Sequence, residues 1–180
     1  MNTEVINPTQ LPEGVCLQNL IMNHDRRGWL TEVYRKSSHP SCQPIQWDAV
    51  SSHAGVLRGA HLHHKRSDFL LVMQGEMFVG LKDVRSNSTT YGLVSTLSLN
   101  ATNQQLLIIP PGIVHGFYHE EPSTILYGMD FYWDSDDESV CFWQDAELGI
   151  PWPCKQPILS ERDRNAQSFR ELVDNMEAIY

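Results

Sequence analysis

Short apolar stretches separated by turn-forming residues run through most of the chain. Several of them alternate apolar and polar side chains, which is the period-two pattern of a half-buried strand. The separators are rich in Gly, Pro, Asn and Ser, as at residues 86–88 and 100–103. Strands are predicted at residues 28–34, 68–75, 77–84, 91–99, 105–110 and 124–133. This rhythm favours an all-β jelly roll.

The C-terminal segment has a different period. Ser160 can cap a helix, and Asp163 follows three residues later. Apolar side chains then recur at helical spacing, at Phe169, Leu172, Val173 and Met176. The pattern predicts one short helix within residues 160–180, packed on the barrel.

Length and charge narrow the classes of function. A chain of 180 residues suits a single domain over residues 1–180. Its formal charge of -9 repels nucleic-acid phosphates and anionic lipid headgroups, so neither nucleic acid nor a membrane is an expected partner. No apolar run reaches the roughly 20 residues of a membrane span, and the start MNTEVINPTQ lacks the pattern of a signal peptide. A cytoplasmic location is predicted.

The four cysteines are scattered, without a C-x2-C pair. They are Cys16, Cys42, Cys141 and Cys154. In a cytosolic chain this usage predicts reduced, structural thiols with no metal or redox role.

Candidate chemistry is concentrated in residues 55–75. His61, His63 and Asp68 stand there in a G-x5-H-x-H-x4-D-x6-G pattern. In a strand, His61 and His63 share one face, and a carboxylate after a turn can reach the same pocket. Further along, a P-x-G-x2-H motif ends at His115. Two half-sites of this kind furnish the interior of a cupin-type barrel, where they hold a metal, move a proton or do neither.

Seven segments in order extend this pattern beyond the histidines. They are DRRGWLTEVY, GVLRGAH, KDVRSNSTTYG, IPPGIVHGF, STILYGMDFYW, WQDAELGIPWP and LSERD. Over roughly residues 10–165 the chain resembles the dTDP-4-dehydrorhamnose 3,5-epimerase family of nucleotide-sugar epimerases. The resemblance implies a cupin jelly-roll homodimer that needs no cofactor. Its implied substrate is a 4-keto-6-deoxy hexose linked to a nucleotide diphosphate.

The resemblance also implies three catalytic roles. His61 matches the base that removes a proton alpha to the ketone. Asp163 matches the carboxylate that binds the far imidazole nitrogen and fixes its tautomer. Tyr127 matches the acid that returns a proton on the opposite face of the sugar ring.

Further positions match substrate contacts of the family. Arg27 and Arg58 match the residues that bind the diphosphate, where guanidinium groups pair bidentately with phosphate oxygens. Glu32 and Gln46 match positions near the nucleotide or sugar, and His115 is expected to line the pocket. The resemblance further implies an N-terminal strand that crosses to the other subunit, so that Arg27 and Glu32 complete the partner's site. A strand-end salt bridge explains Arg85 as well as a substrate contact does.

The chain departs from the family at Asp68. The family carries a lysine seven residues before the glycine of its G-E pair, where the lysine stabilises the enolate oxygen, and Asp68 stands at that position. An anion beside a developing enolate repels it. Lys65, Arg66, His63 or a water network is a candidate replacement, with Asp68 protonated or paired near the substrate. Weaker enolate stabilisation then favours inversion at carbon 3 alone.

Two other functions stay open. His61, His63, Asp68 and His115 form the three-His, one-carboxylate set of a metal-dependent cupin isomerase or dioxygenase. A metal on His61 would occupy the nitrogen needed for proton abstraction, so the leading hypothesis assigns no metal. The other alternative is a sugar-binding barrel that has lost catalysis together with the lysine.

Overall fold

Twelve strands and two α-helices make up the computed structural model, which describes residues 10–39 and 41–177. The first six strands are β1 Cys16–Asn19, β2 Met22–Asp25, β3 Gly28–Thr31, β4 Gln46–Ser52, β5 Val56–His63 and β6 Asp68–Gln74. The next six are β7 Glu76–Asp83, β8 Val94–Asn100, β9 Gln105–Ile109, β10 Ile113–His119, β11 Ser123–Met129 and β12 Glu138–Val140. The helices are α1 Glu161–Arg164 and α2 Phe169–Glu177, and a 3-10 turn covers Ser135–Asp137.

Two five-stranded antiparallel sheets form the body of the protein. Their strand orders are β1-β9-β6-β11-β4 and β12-β5-β10-β7-β8. Apolar side chains from both sheets meet in one buried cluster that includes Leu70, Leu81, Leu107 and Phe117. Alternation is clearest in β8, where every second residue is buried. The predicted cupin jelly roll is confirmed.

The C-terminal part of the chain covers the outer side of the second sheet. Phe169, Leu172 and Met176 pack with Ala60 and Leu62 in a second buried cluster. The prediction of one helix is wrong, because two helices form; residues 178–180 lie outside the described residues. None of the helices in the described part of the chain is long and apolar enough to cross a membrane.

Two separate capping signals explain the two helices. The Ser160 Oγ accepts a hydrogen bond from the Asp163 amide at 3.0 Å, so the predicted cap of α1 is confirmed. A second capping box follows, in which the Ser168 amide donates to Glu171 at 2.8 Å and the Glu171 amide donates to the Ser168 Oγ at 3.2 Å. The S-x-x-E sequence starting at Ser168 was the available signal for the second helix.

Strands β2 and β3 form a two-stranded sheet of their own. This hairpin exposes apolar side chains, with Leu30 69% and Trp29 47% exposed. The strand predicted over residues 28–34 ends at Thr31.

Candidate active site

A histidine-carboxylate dyad joins the barrel to the first C-terminal helix. The His61 Nε2 lies 2.8 Å from the Asp163 Oδ1, although the two residues are 102 positions apart. His61 is on β5, and its side chain is 20% exposed. Burial raises the pKa of Asp163, but its hydrogen bond with His61 and the charge of His61 outweigh burial, so the pKa lies below its usual value. The dyad predicted from the resemblance is therefore present.

A bulge between β5 and β10 sets the position of His61. His61 pairs with His115, whereas Gly59 pairs with Gly116, so that Ala60 is the extra residue. Gly59 has φ +136, and a Cβ there would lie 2.6 Å from the Gly116 Cα. The glycine of the R-G-x-H motif is thus required by the close approach of the two strands.

His61 opens into a cleft of about 260 Å³. Other polar side chains that line it include Asp48, Arg58, Arg66, Glu138 and Arg162. Tyr127 lines the same cleft from β11, in the opposite sheet. The side chains of His61 and Tyr127 therefore line one cleft from different sheets.

Tyr127 is bound to the residue that replaces the family lysine. Its hydroxyl donates to the Asp68 Oδ2 at 2.6 Å. Burial, the nearby charge of Asp68 and this hydrogen bond raise the pKa of Tyr127 well above its usual value. Tyr127 alone is consequently a weak acid.

Asp68 lies behind Tyr127 and is fully buried. Its Oδ2 is 3.1 Å from the Nε2 of both His63 and His115. Burial raises the pKa of Asp68, but these two histidines outweigh burial and hold the pKa below its usual value. Neither Asp68 nor His115 lines the cleft, although both were expected to contact the substrate.

Arg66 is the buried cation of this region, at 2% exposure. Its Nε lies 3.5 Å from the Asp68 Oδ1, and it also lines the cleft. Of the candidates to replace the lysine, Arg66 and His63 contact Asp68, whereas the Lys65 ammonium lies 6.0 Å from the ring centre of Phe131.

Glu138 and Arg162 are site residues that sequence reasoning missed. Glu138 accepts from the Arg66 Nη2 at 2.6 Å, and its other oxygen lies 2.6 Å from the Arg162 Nη1. The same oxygen lies 3.7 Å from the His61 Nδ1. Glu138 ends the acidic run DSDDE, which resembles a solvated loop, whereas Arg162 stands inside the LSERD segment and was detectable there.

The predicted substrate contacts divide into two groups. Arg58 lines the cleft, and Gln46 accepts a hydrogen bond from the Trp133 amide at 3.0 Å at its edge. The structure does not bring Arg27 or Glu32 to the cleft of their own chain. Arg27, with an 83% exposed side chain, pairs with Asp25 on the β2–β3 hairpin.

Glu32 and Arg85 each form a local ion pair. Glu32 pairs with Arg35, three residues later. Arg85 holds Asp83 through its Nε at 3.0 Å and its Nη2 at 2.8 Å, which supports the salt-bridge interpretation of Arg85.

The four-residue metal set is not assembled. His61 is bound to Asp163, which leaves only His63, Asp68 and His115 with ligand atoms within 4.8 Å of one another among the described residues. The Arg66 Nη2 donates to the His63 Nε2 at 3.1 Å. A fixed guanidinium on the ligating nitrogen repels a divalent cation, so these residues do not fit a metal centre.

Comparison with known proteins agrees with this geometry. A sequence model of the dTDP-4-dehydrorhamnose 3,5-epimerase family matches residues 8–171. The epimerase of that name from Pseudomonas aeruginosa is 32% identical over 171 residues, which cover 89% of this chain and 93% of the relative. The Shigella flexneri epimerase is 28% identical over 170 residues, with the same two coverages.

Solved structures are similar as well. The dTDP-4-dehydrorhamnose 3,5-epimerase of Bacillus anthracis, with TDP and pyrophosphate bound, is 32% identical with a TM-score of 0.83, over 92% of this chain and 99% of that one. A 3'-monoepimerase from Streptomyces bikiniensis in complex with dTDP-quinovose is 25% identical with a TM-score of 0.82, over 93% and 88%. The chain belongs to the dTDP-4-dehydrorhamnose 3,5-epimerase family.

Proposed function

We propose that the protein epimerises a 4-keto-6-deoxy hexose linked to a nucleotide diphosphate, as a single catalytic domain. The observation that carries the proposal is the His61–Asp163 dyad, which faces the same cleft as Tyr127 from the opposite sheet. A ketone acidifies its alpha carbons, so that one positioned base is enough to form an enolate.

His61 acts as the base. A carboxylate only accepts hydrogen bonds, so the His61 Nε2 carries a proton toward Asp163, and Nδ1 keeps the lone pair that removes the substrate proton. Asp163 then stabilises the imidazolium. Tyr127 supplies a proton from the other side of the sugar ring, and the configuration inverts.

The enolate is stabilised differently from the family pattern. Arg66 brings a guanidinium to the cleft, but Glu138 and Asp68 offset its charge. Weaker stabilisation supports inversion at carbon 3 alone, the restriction that the name of the Streptomyces bikiniensis relative describes. The name of the matching family supports dTDP as the nucleotide. In this proposal Arg58 binds its diphosphate.

A homodimer supplies the remaining contacts in this proposal. Arg27 and Glu32 lie in and just after the β2–β3 hairpin, which carries the exposed Trp29 and Leu30. A hairpin that packs on a second copy would bury this apolar surface and bring both charged residues to that copy's cleft.

The pathway proposed is cytoplasmic deoxysugar synthesis for a surface polysaccharide such as an O-antigen. One relative supports this placement: the spore coat polysaccharide biosynthesis protein SpsL of Bacillus subtilis is 31% identical over 144 residues, which cover 78% of this chain and 95% of the relative.

Solvent-deuterium incorporation into a dTDP-linked 4-keto-6-deoxyglucose tests the reaction. We expect label and inversion at carbon 3, no label with His61→Ala, and label without inversion with Tyr127→Phe. Full turnover by His61→Ala would exclude His61 as the base, and label at both carbons would exclude the single-site proposal. No label with any nucleotide would favour a binding protein.

A further inference from the structure

A closed group of polar side chains lies behind Tyr127, where the family has a lysine. It consists of His63, Arg66, Asp68 and His115, each no more than 2% exposed. Tyr127 connects this group to the cleft, because its hydroxyl is bound to Asp68. The inference below rests on the proposed epimerase function, in which Tyr127 is the acid.

The tautomer of His115 follows from its neighbours. Its Nδ1 lies 2.9 Å from the Ile113 carbonyl oxygen, which only accepts, so Nδ1 carries a proton. Its Nε2 has no well-aligned hydrogen bond, and it lies 3.1 Å from the Asp68 Oδ2. A neutral His115 against an ionised Asp68 would set two lone pairs face to face in a buried place, which is unfavourable.

His63 does not supply the missing proton in its neutral form. Its Nε2 accepts from the Arg66 Nη2, and a guanidinium is a donor only. The proton of neutral His63 therefore lies on Nδ1, which is 3.7 Å from the Glu138 Oε2. Neutral His63 therefore has no proton on Nε2 to donate to the Asp68 Oδ2.

We propose that Asp68 and His115 share one exchangeable proton, and that this proton restores the Tyr127 hydroxyl after Tyr127 protonates the substrate carbon. The pair exists either as imidazolium and carboxylate or as neutral imidazole and carboxylic acid. Both forms place one proton between the His115 Nε2 and the Asp68 Oδ2. The aspartate that stands in place of the lysine thereby helps to restore the acid Tyr127.

The proton balance of the step is closed. The Tyr127 O–H bond breaks as a C–H bond forms on the enolate carbon, and the proton of the pair moves from the Asp68 Oδ2 to the Tyr127 oxygen. Negative charge leaves the enolate and ends on Asp68, so no tyrosinate accumulates. His61 meanwhile keeps the proton that it removed and later releases it to water in the cleft, whereas the buried pair regains its proton through Tyr127, which connects it to the cleft.

Polar and charged groups from four parts of the chain face the pair. Arg66, in the turn after β5, lies 3.5 Å from Asp68 and stabilises its ionised form. His63 on β5 and Tyr127 on β11 contact the Asp68 Oδ2 directly. Glu138 on β12 binds Arg66 and reduces its effect. These opposing charges keep the shared proton available for transfer.

The ratio of inversion to deuterium exchange tests the proposal. In Asp68→Asn the amide oxygen still accepts the Tyr127 hydroxyl, but the exchangeable proton is lost. We expect inversion to fall by about 100-fold or more, the usual contribution of a general acid, while exchange through His61 persists. His115→Gln should behave alike, and Asp68→Asn should add nothing to Tyr127→Phe.

His119→Gln is the matched control, because His119 is a buried histidine on the same strand that contacts Ser123 instead of the pair. Its ratio should equal that of the wild type. A wild-type ratio in Asp68→Asn, or equal losses of exchange and inversion, would overturn the proposal. Stoichiometric metal that disappears in His115→Gln would also overturn it.

Nitrogen-15 NMR of the histidine rings tests the shared proton without any substrate. The His115 Nε2 should show a protonated or strongly hydrogen-bonded nitrogen, which reverts to a bare one in Asp68→Asn. A bare Nε2 in the wild type would refute the proposal. If no 4-keto nucleotide sugar exchanges, the proposed function fails, and the NMR result still decides on the proton.

Discussion

Replacing Arg66 by methionine should strongly destabilise the protein, because three buried carboxylates lie within 4.0 Å of this one guanidinium. The contacts are 2.6 Å to Glu138, 3.5 Å to Asp68 and 4.0 Å to Asp137. Methionine keeps most of the apolar volume of the side chain, so the change removes mainly the charge and its hydrogen bonds.

The magnitude follows from burial. Opposite unit charges 4 Å apart attract by about 4 kcal/mol at an effective dielectric constant of about 20, and desolvation offsets part of this. Removing one partner of a buried ion pair costs about 3–5 kcal/mol, since a charge is left without compensation. We expect the free energy of unfolding to fall by about 3–5 kcal/mol in Arg66→Met, a large part of the 5–15 kcal/mol typical of a domain.

Arg162→Met is the matched control. Arg162 contacts the same Glu138 at the same 2.6 Å, but its side chain is 44% exposed, against 3% for Arg66. An exposed pair contributes about 1 kcal/mol or less, and Glu138 keeps Arg66 in this variant.

Urea unfolding followed by tryptophan fluorescence measures both variants. Equal losses of stability in the two variants would refute the argument from burial.

The pH dependence of stability is a second test. Burial raises the pKa of Glu138, but His61, His63 and Arg66 outweigh burial, so the pKa of Glu138 lies below its usual value of 4.5. Ion-pair stability is then present at neutral pH and lost on acidification, so the deficit of Arg66→Met should shrink as the pH falls below about 4.5.

Two further predictions concern other parts of the fold. Burial raises the pKa of Asp83, but hydrogen bonds from Arg85, Ser88 and Thr90 outweigh burial and hold it at about 2. The stabilisation that ionised Asp83 contributes is complete above about pH 3.8 and is lost as the pH falls toward 2. Asp83→Asn should therefore lower the free energy of unfolding by about 2 kcal/mol at neutral pH, and its stability should change less than that of the wild type between pH 4 and 2. An acid-unfolding profile identical to that of the wild type would contradict this. Burial raises the pKa of the Cys141 thiol to about 12, so a thiol reagent at pH 8 should label Cys141 only after unfolding, and native labelling that disappears in Cys141→Ala would refute this.

Short apolar runs bounded by turn-forming residues predicted the strands well, and strict alternation appears where one face of a strand is less buried, as in β8. Five of the six predicted strands agree with β3, β6, β7, β8 and β9 to within about three residues at each end, whereas the strand predicted over residues 124–133 runs four residues past the end of β11. Prediction was weakest for the C-terminal helix, because the cap at Ser160 and the apolar spacing that begins at Phe169 were assigned to one helix, whereas the chain breaks between α1 and α2. Local capping by Ser168 decided that break, and spacing alone does not register it.

The residues of the candidate site also differ in whether the sequence could predict them. His61 and Tyr127 were found because they stand inside motifs that resemble the family, and Asp163 was found in the same way despite its distance along the chain. Arg66 and Glu138 had no motif. Their roles arise only when β12 pairs with β5, which sets Glu138 opposite His63.

The sequence by itself determined the all-β fold, the family and the candidate pair His61 and Asp163, since these follow from periodicity and ordered motifs. Only the tertiary structure decided that Asp68 faces away from the cleft, that it binds Tyr127 and two histidines, and that Arg66 is the cation beside it. These facts depend on which side chains from β5, β6, β10 and β11 meet in a space closed to water. There, each charge and proton is set by neighbours that are distant in the chain.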